Sequence, residues 1–145
     1  MIEGGAPLHA MPVATQRSRR ATERILIVDD DPSVRRPLSR LLSHSGYEAH
    51  TAANGDEAVL KAKEGSPDLI VLDLGMPGRD GLAVCEYLRS HPTLFVVPVI
   101  VCSGSAPGPS RERALALGAK DFLPKPVSYP DLLERIRKIL AGKEP

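Results

Sequence analysis

At four places in this sequence a reactive polar side chain follows a short apolar run. Asp29 and Asp30 follow Ile25-Leu26-Ile27-Val28, Asp73 follows Leu69-Ile70-Val71-Leu72, Ser103 follows Val99-Ile100-Val101-Cys102, and Lys125 lies just past Asp121-Phe122-Leu123. Carboxylates that meet at one point need help. Two unit charges about 4 Å apart repel by about 4 kcal/mol at an effective dielectric near 20. Either some are protonated or a cation is held among them. Carboxylate and water ligands suit Mg²⁺, which ordinarily takes one or two carboxylates and fills its shell with water and phosphate. An acid in that company, beside an ammonium and a hydroxyl, makes a phosphoryl acceptor. Cation and ammonium neutralise the phosphoryl oxygens while the carboxylate attacks, giving an aspartyl phosphate. Asp73 carries this reading furthest, because a strand end gives an isolated acid little other reason to be there.

Bringing these tips together requires strands that run the same way. Asp31 reads as an N-cap with Pro32 at the first helical position, before a helix burying Val34, Leu38, Leu41 and Leu42. Ser45-Gly46 ends that helix, and Pro37 inside it should cost stability or kink it. A second, weaker strand covers Tyr47 to Ala52, and Asn54 caps a helix from about Gly55 to Lys63. Asp80 caps a third helix carrying Leu82, Cys85 and Leu88, which Pro92 breaks. The fourth strand is expected over Val96 to Cys102, with Pro98 near its start. A Pro/Gly loop from Ala106 to Pro109 leads to a helix over Ser110 to Leu117, and a short strand covers Asp121 to Leu123. Ser128 with Asp131 forms a capping box for a last helix that buries Leu132, Leu133, Ile136, Ile139 and Leu140. The order is strand–helix five times over, with short connections. That predicts an α/β fold, a doubly wound five-stranded parallel sheet with helices on both faces. In such sheets the site lies at the carboxyl ends of the strands, where Asp29, Asp30, Asp73, Ser103 and Lys125 would stand.

Composition narrows the classes. A chain of 145 residues, 42% hydrophobic and 26% charged, suits one compact domain with a short extension. Lys plus Arg number 19 against 18 Asp plus Glu, for a net charge of +1, so a nucleic-acid or membrane-surface protein is not expected. Cys85 and Cys102 sit in apolar segments without metal-ligand spacing and read as buried small hydrophobes. No apolar run has membrane-spanning length, and the N-terminus lacks the apolar region of a secretory signal, so the expected compartment is the cytoplasm. Residues 1–23, with Gly4-Gly5, Pro7, Pro12 and Arg17-Ser18-Arg19-Arg20, show no period and read as a disordered extension. The folded domain is expected over 24–142, with 143–145 as a tail.

The segments Ile25–Pro32, Leu69–Gly81, Val99–Gly104 and Asp121–Pro126 together resemble the receiver domain of bacterial two-component response regulators. An acid pair, Asp-x-x-Met-Pro-x-x-Asp-Gly, a Ser-Gly and a Lys-Pro occur in order at family-like spacing. Each is weak alone, and the four together are specific. The resemblance implies the flavodoxin-like strand order 2-1-3-4-5. It implies Asp73 as phosphoacceptor, Mg²⁺ held by Asp29, Asp30, Asp73 and the Gly75 carbonyl, and Lys125 paired with the phosphoryl group. Ser103 matches the hydroxyl that reorients toward the phosphoryl oxygens, Phe122 the aromatic whose rotamer reports activation, and Gly104 a small residue leaving room for the group. It also implies a cis Lys125–Pro126 bond. The implied partners are a sensor histidine kinase or phosphotransfer protein upstream and an effector protein or C-terminal output domain downstream. A phosphorylation-dependent dimer is a further implied state, and only self-phosphorylation and self-dephosphorylation are expected in place of an enzyme's turnover. The chain departs from the family at Val127, where Phe is common, and has small residues at Gly75 and Ser105, two positions that tune phosphoryl lifetime.

Two rivals stand beside this reading. A receiver fold can serve as an interaction module that is never phosphorylated, although such domains usually lack a member of the set present here. A haloacid-dehalogenase-like phosphatase would read Asp29-x-Asp31 as its motif with Asp29 as nucleophile, leaving Asp73 and the Met-Pro loop without a role. Asp31 reads as a cap, Asp68 as a strand-entry charge, and His44, His50 and His91 as solvated side chains. The Arg135-Arg137-Lys138 group reads as a solvated helix face. A stand-alone receiver and a piece of a longer regulator both fit the sequence.

Overall fold

A computed structural model describes residues 22–76, 81–104 and 109–142. The expected N-terminal extension is almost wholly outside these residues, as are the C-terminal tail, the Asp80 cap, Ser105 and most of the Pro/Gly loop after it. Among the described residues ten elements alternate: β1 (Arg24–Val28), α1 (Pro32–His44), β2 (Glu48–Ala52), α2 (Gly55–Gly65), β3 (Leu69–Asp73), α3 (Gly81–Ser90), β4 (Val99–Ser103), α4 (Pro109–Ala116), β5 (Asp121–Pro124) and α5 (Tyr129–Leu140). The strands form one parallel sheet in the order β2-β1-β3-β4-β5, as the sequence resemblance implied.

The pleat divides the core. Leu26, Val28, Ile70, Leu72, Val99 and Val101 face one side, where α2 and α3 cover them with Ala58, Ala62, Val84, Cys85 and Leu88. Ile25, Ile27, Leu69, Val71, Ile100, Cys102 and Leu123 face the other, against Leu38 and Leu42 of α1 and Leu132, Ile136 and Ile139 of α5. The near-continuous apolar runs are therefore strands buried on both faces. Leu133 and Leu140, expected inside, are half-buried at the margin of the second cluster, as is Leu41. Both cysteines are buried, and neither forms a disulfide among the described residues.

Local chemistry ends the helices where it should. Asp31 accepts from the Ser33 amide at 2.9 Å, and α1 closes with the Ser45 and Tyr47 amides on the Leu41 and Leu42 carbonyls, Gly46 taking φ +97°. The helix runs unbroken through Pro37, a residue that nothing in the structure explains. At α2, Asn54 accepts from the Glu57 amide (2.8 Å) and Glu57 returns a carboxylate oxygen to the Ala53 amide (2.7 Å). The box expected at α5 forms by half. Ser128 meets the Asp131 amide at 3.4 Å, while the Asp131 carboxylate takes the Arg135 Nε at 3.1 Å instead.

β4 begins later than the apolar pattern suggests. Residues 91–97 turn, and the His91 Nδ1 accepts from the Thr93 and Leu94 amides at 3.2 and 3.3 Å. Leu94 and Val97 are buried in that turn while Phe95 is 53% exposed, so an apolar run mimics a strand without being one. Pro98 has no amide to donate but lends its carbonyl to Ile70, and the ladder starts at Val99. At the far edge, the Lys61 ammonium donates to the Thr51 carbonyl of β2, which blunts that open strand. Among the described residues no helix is long and apolar enough to cross a membrane.

Candidate functional site

Parallel strands place their last residues on one edge, and that edge gathers the acids. Carboxylate oxygens of Asp29, Asp30 and Asp73 lie within 4.8 Å of one another. Asp29 is 4% exposed and Asp73 5%, whereas Asp30 opens to solvent. Asp29 is held from every side. Its amide donates to the Ala52 carbonyl (3.1 Å), its Oδ1 accepts from the Asp31 amide (3.0 Å), and Arg35 Nη1 donates to its carbonyl oxygen (2.8 Å). The Arg35 contact has no mark in the sequence, because it joins a helix side chain to a loop carbonyl.

Lys125 reaches in from β5. Its Nζ is 2.8 Å from Asp29 Oδ2 and 3.4 Å from Asp73 Oδ1, with the side chain 24% exposed. The amide of Lys125 donates to the Ser103 carbonyl at 2.8 Å, tying it to the tip of β4, and the Lys125–Pro126 bond is cis. Burial pushes the ammonium's pKa down, but the hydrogen bond to Asp29 and the charges of Asp73 and Asp29 outweigh it. The net direction is up, so Lys125 is a fixed cation.

Asp73 goes the other way from most paired acids. Burial lifts its pKa above the ordinary carboxylate range and the Asp29 charge adds to this; the Gly75 amide (3.1 Å to Oδ1) and Lys125 offset them only in part. An acid that the fold holds so reluctantly gains from any further positive charge. Beside it on β4, its register partner Cys102 has its thiol pushed up to about 12 by burial, which leaves it a neutral hydrophobe.

Gly81 makes the approach of α3 to this edge possible. A Cβ there would stand 2.6 Å from the Leu74 Cα and 2.7 Å from the Asp73 carbonyl oxygen, closer than packed atoms allow. The helix start therefore lies directly on the strand end that bears Asp73. Ser103 ends β4 at 2% exposure, and Gly104 follows at the surface, with room for a Cβ 4.0 Å from that of Lys125. Phe122 is half-buried on the α4 side of the sheet, and the Arg111 guanidinium lies over its ring at 5.9 Å. Val127 is half-buried in the cluster under α1 and α5.

The Asp31, His50, His91 and Asp68 side chains are engaged outside the acidic cluster. The Asp31 carboxylate, held below its usual range by hydrogen bonds from the Ser33 hydroxyl and amide, serves α1 as its cap, and the Asp29-x-Asp31 reading loses its second acid. His50 pairs with Glu48 (2.6 Å) and His91 holds its turn. Asp68 is more than a surface charge at a strand entry. It is 6% exposed and its Oδ2 accepts from the Arg24 amide (2.7 Å), fastening β1 beside β3 at the end of the sheet away from the acids.

The acidic cluster fits a divalent cation bound through oxygen. Three carboxylates face one fixed ammonium, an excess of negative charge that a divalent ion balances, and the exposed Asp30 leaves a side open to water ligands.

Comparison with known proteins agrees with this geometry. The family model for the response regulator receiver domain matches residues 25–137. Response regulator MprA of Mycobacterium leprae is 43% identical over 122 residues, which is 84% of this chain and 53% of that protein. The chain thus spans about half the length of the curated relatives it matches. A CheY-like response regulator receiver domain protein from Methanospirillum hungatei superposes with a TM-score of 0.80 at 30% identity, covering 86% of this chain and 98% of that one. The chemotaxis protein CheY4 of Vibrio cholerae gives 0.77 at 30% identity, covering 82% and 99%. Strand order, the cluster of acids under a lysine, and a family match over more than half its length put the chain in the response regulator receiver family, the phosphorylation-dependent switches of two-component signalling.

Proposed function

We propose that Asp73 is the phosphoacceptor of this switch, taking its phosphoryl group from a sensor histidine kinase, a phosphotransfer protein or a small phosphodonor. A carboxylate oxygen of Asp73 attacks phosphorus and forms the new P–O bond. The bond to the donor's imidazole nitrogen or acyl oxygen breaks, and that atom leaves with the electron pair. The observation that carries the reading is the meeting of the Asp29, Asp30 and Asp73 carboxylates within 4.8 Å under Lys125. Asp29, Asp30, Asp73 and the Gly75 carbonyl would hold Mg²⁺. When bound, that ion supplies positive charge to the acids and to the phosphoryl oxygens.

Lys125, kept protonated by its two acids, pairs with a phosphoryl oxygen as the carboxylate charge of Asp73 is spent in the acyl phosphate. Ser103 donates its hydroxyl to a second oxygen, and Gly104 leaves the approach open. Phe122, on the same face of the sheet as Ser103 by the register of β4 and β5, moves as that hydroxyl turns. The change is read on the face made by α4, β5 and α5, by an effector protein or by an output domain in a longer polypeptide, with dimerisation as one form of readout. The domain spans residues 24–142 and works in the cytoplasm. Intact-mass measurement after incubation with acetyl phosphate tests this. A gain of one phosphoryl group that needs Mg²⁺ and vanishes in Asp73→Asn is expected; no gain, or an undiminished gain in the variant, would defeat the reading.

A further inference from the structure

We propose that Arg111 of α4 is a latch on the Phe122 ring, holding the unphosphorylated arrangement of the switch until phosphorylation draws the ring away. This rests on the reading of Asp73 and Phe122 just given, and deepens it by naming what sets the resting position. The guanidinium lies 5.9 Å from the ring centroid, within the reach of a cation–π contact. Phe122 is half-buried, its ring packed against the core under α2 and α3, so it has a place to rest without being locked in. Arg111 is exposed and stands in the first turns of α4, the helix that follows the Ser103–Gly104 tip in the chain. Val101 pairs with Phe122 and Ser103 with Pro124, so the ring and the switch hydroxyl share one face of the sheet. A change at Ser103 is therefore felt next to the ring, while the cation that opposes the ring's departure is carried by the neighbouring helix.

The size of the effect follows from the contact. At an exposed site a cation–π pair changes an equilibrium by about two- to fivefold. Because it favours the resting state, its loss shifts the switch toward the phosphorylated arrangement by that factor, and phosphorylation gains by the same factor through linkage.

A double-mutant cycle reads this directly. The ratio of phosphorylated to unphosphorylated protein at limiting acetyl phosphate with Mg²⁺ is measured for wild type, Arg111→Gln, Phe122→Leu and the double variant, with Arg111→Lys as the conservative exchange. Arg111→Gln should raise the ratio about two- to fivefold, Arg111→Lys should stay near wild type, and Arg111→Gln should add nothing once Phe122 is Leu. Equal effects of Arg111→Gln in both backgrounds would overturn the latch. So would an effect that grows with protein concentration, which would place Arg111 in a contact between two copies. If wild type takes no phosphoryl group, the phosphoacceptor reading fails by itself. The same cycle on urea unfolding without donor then decides the contact, a two- to fivefold coupling supporting it and strict additivity overturning it.

Discussion

A carboxylate at the end of β3 is kept from water, faces a second acid, and has one lysine for relief. Because the fold favours its protonated form, ionised Asp73 subtracts stability at neutral pH. Asp73→Asn should therefore unfold at a higher urea midpoint than wild type at pH 7 in chelator, while losing all phosphorylation. A lower midpoint would mean that the ion pair with Lys125 outweighs burial. Lys125→Ala does the reverse, stranding Asp29 and Asp73 together, and should cost about 1–3 kcal/mol of stability in chelator by the same measurement. The acids, the serine and the lysine were legible because each follows an apolar run, a pattern that survives without knowledge of packing. Arg35, clasping the Asp29 carbonyl, was not: a guanidinium bound to a backbone oxygen six residues earlier leaves no trace in residue type or period.

Elements set the accuracy of this site. Gly81 lets the start of α3 press on the strand end at Asp73, and Gly81→Ala should cost about 1–3 kcal/mol through overpacking and slow phosphorylation as Asp73 shifts. Unfolding and acetyl phosphate kinetics check both. At α2 the Glu57 carboxyl is held below its usual range, first by the Ala53 amide it accepts from and then by Lys61. A depressed acid contributes stability that is complete above its unfolded pKa, near 4.3, and is lost as pH falls through its lower folded value. Glu57→Gln should thus reduce the unfolding midpoint more at pH 7 than at pH 3; a gap of constant size would contradict this. The caps at Asp31, Asn54 and Ser128 and the Ser45-Gly46 stop were legible in the sequence, while only the Ser128 half of the α5 box forms. The start of β4 was not, because Leu94 and Val97 are buried by a turn that His91 organises, and burial without a ladder looks like a strand from composition alone.

Over the whole molecule, one sheet buried on both faces turns five strand ends into a single surface, and the helices on either side carry the consequences outward. Strand order came from family resemblance, since no local pattern tells which strands are neighbours, whereas the alternation of strand and helix that demands a parallel sheet is written in the chain itself. The long-range ties, Lys125 to Asp29 and Asp68 to the Arg24 amide, exist only once that order is set. At this scale the proposed switch turns on one covalent bond, an acyl phosphate on the side chain at the end of the central strand. Trapping with borohydride reads it most directly. Hydride reduces the acyl carbon and expels phosphate, leaving homoserine where the phosphorylated aspartate stood. After incubation with acetyl phosphate and Mg²⁺, peptide sequencing should find homoserine at position 73; homoserine at 29 or 30, or at no position, would contradict the account.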